Sequence, residues 1–452
     1  MVFSTPTFLF CFLPVVFLSY RLSKNSTYRN VLLCVASLIF YAFGQAEYML
    51  LLLLSVGINY GCGYLLMKRR SKAVLIVAIA VNLALLCLFK YAAELNLSSL
   101  TLLLGISFFT FQGLSYVIDT YRNPELGTGN FGKVFLYIAF FPRLIAGPFV
   151  KYHEIEDQLE TRPDKPGQES EGFRRFIVGL SKKVLLSDGL AAVVNAIFSS
   201  YCQNGVRDYR LAWVFAISYA LQIYYDFSGY SDMAIGCGLL FGFTFPENFD
   251  HPYGATSLKD FWRRWHISLS SWFKEYVYIP LGGNRKGKAR TFFNRLFVFL
   301  LTGFWHGANG TYLLWGLGHG LLTGLEDLNV IPVKKLEKSS LGKVVLSIYT
   351  ILAVVLLFVL FRADSVLQGL QIIGAMFTFK TSSADDLLLG RLLTPLFLFI
   401  FLVSVFLSRG LPEKLKKLST PFLSNVMCIV LLILSVLAMA KGNTTPFIYA
   451  QF

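Results

Sequence analysis

The chain has 452 residues, of which 55% are hydrophobic, 16% aromatic and only 15% charged, and it carries a formal net charge of +15. Ordinary soluble domains are roughly a quarter charged, so water is not the main solvent of this protein. The excess of Lys and Arg lies in short loops rather than on one basic domain, which argues against a nucleic-acid partner and for positive-inside membrane topology.

Met1 to Tyr20 holds no charge and no small-residue cleavage site. It reads as an uncleaved first span rather than a secretory signal. Uncharged stretches follow at Asn30 to Ala46, Tyr48 to Met67 and Ala73 to Phe89, separated by loops that carry Arg21, Lys24 and Arg29, then Lys68, Arg69, Arg70 and Lys72. The intervening turn, Gln45 to Glu47, is not basic. The positive-inside rule therefore places both basic loops in the cytoplasm and the N-terminus outside.

After a further apolar stretch, Leu95 to Ile118, comes the longest hydrophilic one, Lys151 to Lys183. Its mixed charges predict surface helices outside the bilayer. Tyr224 to Gly320 is dense in polar, aromatic and glycine residues, and overlaps the 30-residue uncharged stretch Leu296 to Leu325. Basic loops at Lys334, Lys335, Lys338 and Lys343, and at Lys414, Lys416 and Lys417, flank the apolar stretches Val344 to Phe361, Leu392 to Ser408 and Leu418 to Ala440.

A span takes about 20 apolar residues, with roughly 17 as the lower limit. The pattern predicts an all-α polytopic membrane protein with about 10–12 membrane helices, the shorter of them re-entrant. One membrane domain, 1–452, is expected, with a helical scaffold at 1–90, a catalytic core at 91–326 and C-terminal helices at 327–452. The seven cysteines are scattered and form no CxxC pair, so neither a disulfide framework nor a zinc site is expected.

Of the five histidines, His266, His306 and His319 fall in the later part of the aromatic and glycine-rich region, after His251. An ionisable group at membrane depth is a functional candidate, although His306 could equally serve as a hydrogen-bonding contact between helices. Around His266, the segment FWRRWHISLSSWF has no clean polar stripe, and its Trp262, Trp265 and Trp272 could be interface anchors. Asp226 and Asp232 sit between apolar helices, where a carboxylate must face protein, water or a partner. Gly238 and Gly242, four apart, have the spacing of a close helix contact. No GxSxG, HExxH or P-loop motif is present, which removes support for serine hydrolase, metalloprotease and ATPase readings.

MVFSTPTFLFCFLP, FPRLIAGP, YYDFSGYSDMAIG, FWRRWHISLSSWFKEYVYIPLGGNR and GFWHGANGTYLLWGLGHG together resemble the membrane-bound O-acyltransferase family, in its bacterial alginate O-acetyltransferase type. The resemblance implies helices around a tunnel or funnel, a catalytic histidine in the WHG motif at His306, and a second in the RWHxSLS motif at His266. It implies an acyl thioester donor such as acetyl-coenzyme A, no tightly bound cofactor or metal, and a polysaccharide acceptor outside a bacterial inner membrane. No GDS motif occurs, so a separate extracytoplasmic SGNH-type partner is expected to complete the transfer.

In that chemistry His306 is the general base, and His266, Asn309 or a backbone N–H supplies the oxyanion donor. Asn309, Asp226 and Asp232 are the further substrate-binding candidates. Cytoplasmic-side bases such as Arg285, Lys286, Lys288 and Arg290 could attract donor phosphates, although topology alone accounts for them as well. D-alanyl transfer, or acylation of a protein or lipid, fits the same motifs. A transporter or polysaccharide export subunit, with His306 and the aspartates lining a permeation path, is the alternative of another class.

Overall fold

The computed structural model describes residues 1–91, 104–205, 208–410, 420–442 and 445–448. Among these there is no β-strand, only an isolated bridge between Phe249 and Trp265. The helices in chain order are α1 (Leu13–Arg21), α2 (Ser26–Gln45), α3 (Met49–Lys68), α4 (Lys72–Lys90), α5 (Ile106–Arg122), α6 (Phe131–Ala139), α7 (Glu156–Glu160), α8 (Gln168–Ser181), α9 (Asp188–Asn204) and α10 (Tyr209–Leu240). Then come α11 (Leu258–Arg264), α12 (Ile267–Phe273), α13 (Gly287–His306), α14 (Gly310–Asp327), α15 (Val333–Leu336), α16 (Ser340–Arg362), α17 (Val366–Met376), α18 (Ser383–Leu392), α19 (Pro395–Ser408) and α20 (Pro421–Ala440). The second cluster of C-terminal lysines, Lys414 to Lys417, lies outside the described residues.

Local chemistry marks the helix starts. Asn25, Ser71, Asp208, Ser339 and Thr420 each accept a hydrogen bond from a first-turn N–H, and Pro follows the caps Thr394 and Thr420, where its missing N–H is not needed. Helices α2 and α3 turn back on one another. Cys34 on α2 and Tyr60 on α3, equally far from Glu47, reach the carbonyls of Gly132 (3.5 Å) and Gly129 (2.9 Å). Arg29 and Lys68 therefore lie toward the same end of the hairpin, in keeping with the charge pattern.

By length and composition, four helical runs among the described residues are apolar enough to cross a membrane: the α2–α3 hairpin Ser26–Lys68, and Lys72–Lys90, Ser340–Arg362 and Pro421–Ala440. The pair Asp385–Leu392 and Pro395–Ser408, bent by 72°, makes a fifth if it counts as one span. The count of uncharged stretches exceeds this because inner helices need not be apolar. Helix α10 carries Asp226, Asp232 and several tyrosines, yet nearly every residue from Leu211 to Leu240 is shielded by neighbouring helices. α4 and α20, by contrast, are mostly uncovered by protein and present apolar side chains outward, as lipid contact requires.

Three expectations are corrected. The N-terminal stretch is no span by itself: a π-helical turn, Phe8–Phe12, leads into α1, and the whole run Phe8–Arg21 is below the roughly 17-residue minimum. It instead buries Phe3, Phe8 and Phe12 against Phe40, Phe141 and Phe176. The hydrophilic stretch is a surface element only in its first half. From Gln168 onward it becomes α8, with Gly172, Phe176, Gly179 and Leu180 buried against α10.

The glycines that permit that contact are Gly229 and Gly236, not Gly238 and Gly242. A Cβ on Gly179 would lie 2.5 Å from the Gly229 carbonyl, and one on Gly236 would lie 2.7 Å from the Gly172 carbonyl. Gly242 follows the end of α10 at φ +80°, a left-handed terminus that favours glycine, and Gly238 makes room for the Phe245 ring.

Candidate active site

Helices α13 and α14 form a hairpin whose glycines are its contact surface. A Cβ on Gly303 would meet the Tyr312 carbonyl at 2.5 Å, and Gly316 sits against the Phe299 backbone and Gly303 Cα. This close approach explains the glycine density of GFWHGANGTYLLWGLGHG and holds the last residue of α13, His306, inside the bundle at 3% exposure. The His306 ring is walled by Trp305 (centroids 4.6 Å), Phe361 (4.9 Å) and Trp315 (5.2 Å).

His266 separates α11 from α12 and adopts φ +46°, a conformation that costs a non-glycine residue about 1–2 kcal/mol and recurs at functional sites. An extended stretch holds it there: Ile267 N–H donates to the Asn248 carbonyl (3.0 Å) and Asp250 N–H to the Arg264 carbonyl (2.9 Å). Asn248 Oδ1 accepts from Ser268 Oγ (2.8 Å) and lies 3.1 Å from His266 Nδ1. Because Oδ1 can only accept, neutral His266 carries its proton on Nδ1 and its lone pair on Nε2.

The two histidines, 40 residues apart in sequence, both contact one side chain. The Trp305 indole is 4.6 Å from His306 and 6.4 Å from His266, centroid to centroid, and also packs on Phe111 and Phe149. Lys90, the last residue of α4, places Nζ 5.0 Å over the same indole, and the Tyr91 hydroxyl donates to the Phe304 carbonyl. Nothing in the local sequence of α4 signalled this; the long-range contact brings it in.

The sequence model of the membrane-bound O-acyltransferase family matches residues 124–330, which contain both histidines. "Probable alginate O-acetylase AlgI" of Pseudomonas putida is 36% identical over the full length of both chains, and its namesake in Pseudomonas aeruginosa is 40% identical over 86% of this chain and 77% of its own. The chain belongs to the membrane-bound O-acyltransferase family. It is therefore an integral membrane O-acyltransferase. A peptidoglycan O-acetyltransferase of Helicobacter pylori is 35% identical over 83% of this chain and 80% of its own length.

Around the two histidines of this O-acyltransferase, other singled-out residues have structural partners. Asn309 caps α14 by accepting from Thr311 N–H (3.1 Å), while its Nδ2 donates to the Asp364 carbonyl (2.8 Å). Asp226 is buried and pairs with Lys183 Nζ at 2.7 Å, while accepting from Ile448 N–H at 2.7 Å. Asp232 pairs with Arg175 Nε at 2.7 Å and Lys182 Nζ at 2.6 Å. Both aspartates thus clamp α10 to α8 and the π-helical turn Lys182–Ser187 that follows it.

Trp265 and Trp272 are buried rather than set at a lipid interface, which removes the anchoring role for them. Trp262 lines a cavity of about 310 Å³ between α11, α12, α13 and α14, together with Leu269, Phe273, Phe299 and Thr302, and with Arg263 and Lys274. Its Nε1–H donates to His319 Nδ1 (3.2 Å), and Trp315 links His319 to His306 by ring contacts of 5.1 and 5.2 Å. Arg285, Lys286, Lys288 and Arg290 are exposed before and within the first turn of α13.

A separate cluster, Asp119, His153 and Glu275, has ligand atoms within 4.8 Å of one another. Lys151 Nζ pairs with Glu275 at 2.6 Å, Arg122 pairs with it at 3.2 Å, and Tyr276 donates to Asp119 at 2.9 Å. Cations of the chain thus already occupy the site and oppose a metal ion. The hydrogen bond to Asp119 holds the His153 pKa above its ordinary value near 6.5.

Proposed function

We propose that this enzyme takes an acetyl group from a cytoplasmic thioester, acetyl-coenzyme A or a carrier-bound equivalent, and passes it through the membrane for O-acetylation of a polysaccharide. His306 acts as the base that removes the acceptor hydroxyl proton, and His266, which contacts the same Trp305 indole, orients the reacting groups. The observation that carries this reading is the convergence of His306 and His266 on one indole, inside a bundle where water is scarce. The names of the relatives, alginate O-acetylase and peptidoglycan O-acetyltransferase, support a sugar polymer as final acceptor and acetyl as the group.

The donor enters from the side of the exposed bases Arg285 to Arg290, by way of the cavity beside Trp262. With those bases cytoplasmic, the protein lies in a bacterial inner membrane with its N-terminus outside, and a separate SGNH-type protein finishes the transfer to the polymer. General-base help is typically worth about 10²- to 10⁴-fold in rate. Transfer of radiolabelled acetyl from acetyl-coenzyme A in proteoliposomes, with the partner protein supplied, should fall by that factor in His306→Ala. Equal labelling by the variant would move the base elsewhere.

A further inference from the structure

Trp305 Nε1 is a buried N–H with no acceptor among the described residues. Buried donors are nearly always paired, because an unpaired one forfeits its hydrogen bond to water. This one belongs to the side chain that both histidines touch, with its ring 4.6 Å from that of His306. The side-chain donors expected to stabilise negative charge are used elsewhere. Asn309 Nδ2 donates to the Asp364 carbonyl, and the Nδ1 proton of neutral His266 goes to Asn248, which leaves Nε2 a lone pair.

We propose that Trp305 Nε1–H is the oxyanion donor of the reaction, the group that binds the carbonyl oxygen of the acyl thioester. This rests on the reading of His306 as the base. As the acceptor hydroxyl oxygen bonds to the carbonyl carbon, His306 takes its proton and the C=O π pair moves onto oxygen, where the indole N–H holds it. When that pair returns to re-form the carbonyl, the C–S bond breaks and the thiolate leaves with the proton from His306. Lys90 Nζ lies 5.0 Å over the indole face, a placement in which a protonated ammonium is attracted to the ring.

Trp305→Phe keeps an aromatic ring and removes the donor. Loss of one oxyanion donor typically lowers kcat about 10²- to 10³-fold. That loss is expected in the radiolabelled acetyl transfer assay, with KM for acetyl-coenzyme A and the melting midpoint in detergent unchanged. Benzothienylalanine at position 305, which keeps the bicycle and replaces N–H by sulfur, should reproduce the loss even if the smaller ring disturbs packing. Wild-type kcat in the benzothienylalanine protein, beside an inactive His306→Ala, would overturn the donor role and leave the base in place. Activity retained in His306→Ala would instead remove the reading on which the proposal rests.

Discussion

Gly229→Ala probes the contact that sets the core of this enzyme. A Cβ there would lie 2.7 Å from the Gly179 carbonyl oxygen, 3.0 Å from Lys183 N and 3.2 Å from Lys182 Cβ. Two of those neighbours are backbone atoms of the α8 segment, so no rotamer change relieves them. Ordinary contact begins near 3.4 Å, and the helices must part by about 0.7 Å. Overpacking of this kind costs about 1–3 kcal/mol. The same retreat stretches the Lys183–Asp226 and Lys182–Asp232 pairs, now 2.7 and 2.6 Å, and outright loss of a buried pair costs about 3–5 kcal/mol.

A destabilisation of about 3 kcal/mol, more than a hundredfold in the folded-to-unfolded ratio, is therefore expected. It should appear as a melting midpoint lower by several degrees for the full chain in detergent. Activity should fall with it, because Phe227 on α10 sits 4.5 Å from the His266 ring. Gly57→Ala is the control: nothing lies within 4 Å of a Cβ there, and exchanging a mid-helix glycine for alanine gains about 0.5–1 kcal/mol. If the two variants melt together, the glycine contact does not hold α8 to α10.

Asp226→Asn should destabilise by about 1–3 kcal/mol through weakened bonds to Lys183 Nζ and Ile448 N–H, because Asp188 still pairs with Lys183 at 2.8 Å, whereas Lys183→Met should cost about 3–5 kcal/mol by stranding both buried carboxylates; melting curves of the two decide. His153, its pKa raised by Asp119, contributes stability that is complete below its unfolded value near 6.5 and is lost as pH rises through the elevated folded value. Melting midpoints should thus decline over that window in the native chain, and His153→Gln should flatten the decline. Asn309→Ala should remove a cap worth about 1 kcal/mol while kcat stays within a few-fold; a loss matching that of an oxyanion donor would reassign it. Dialysis against EDTA should leave acetyl transfer unchanged, whereas a loss restored by zinc would show that Lys151 and Arg122 do not exclude a metal from the Asp119 cluster.

Much of the architecture was legible because its causes are local. Low charge identified a membrane protein, capping residues marked helix starts, and basic loops foretold that Arg29 and Lys68 lie at one end of a hairpin. The motifs around His266 and His306 identified the family and the enzyme class. Legibility stopped where neighbours change the meaning of a residue. Met1 to Tyr20 has the composition of a span, but a π-helical turn and burial of three phenylalanines spend its length inside the core. Glycine spacing suggested a contact at Gly238, whereas the contact depends on which face α10 turns to α8, and that face bears Gly229 and Gly236.

By itself, the sequence determined the solvent, the helical class and the family, since each follows from composition or from contiguous motifs, and it offered the two histidines as candidates. Tertiary structure alone decided that those histidines share Trp305, that Lys90 from α4 covers its face, and that Asp226, Asp232 and Asn309 are held by protein partners. These depend on contacts between residues tens to hundreds of positions apart. Such contacts are selected by packing and by the need to pair buried polar groups, neither of which is written in any one stretch of chain.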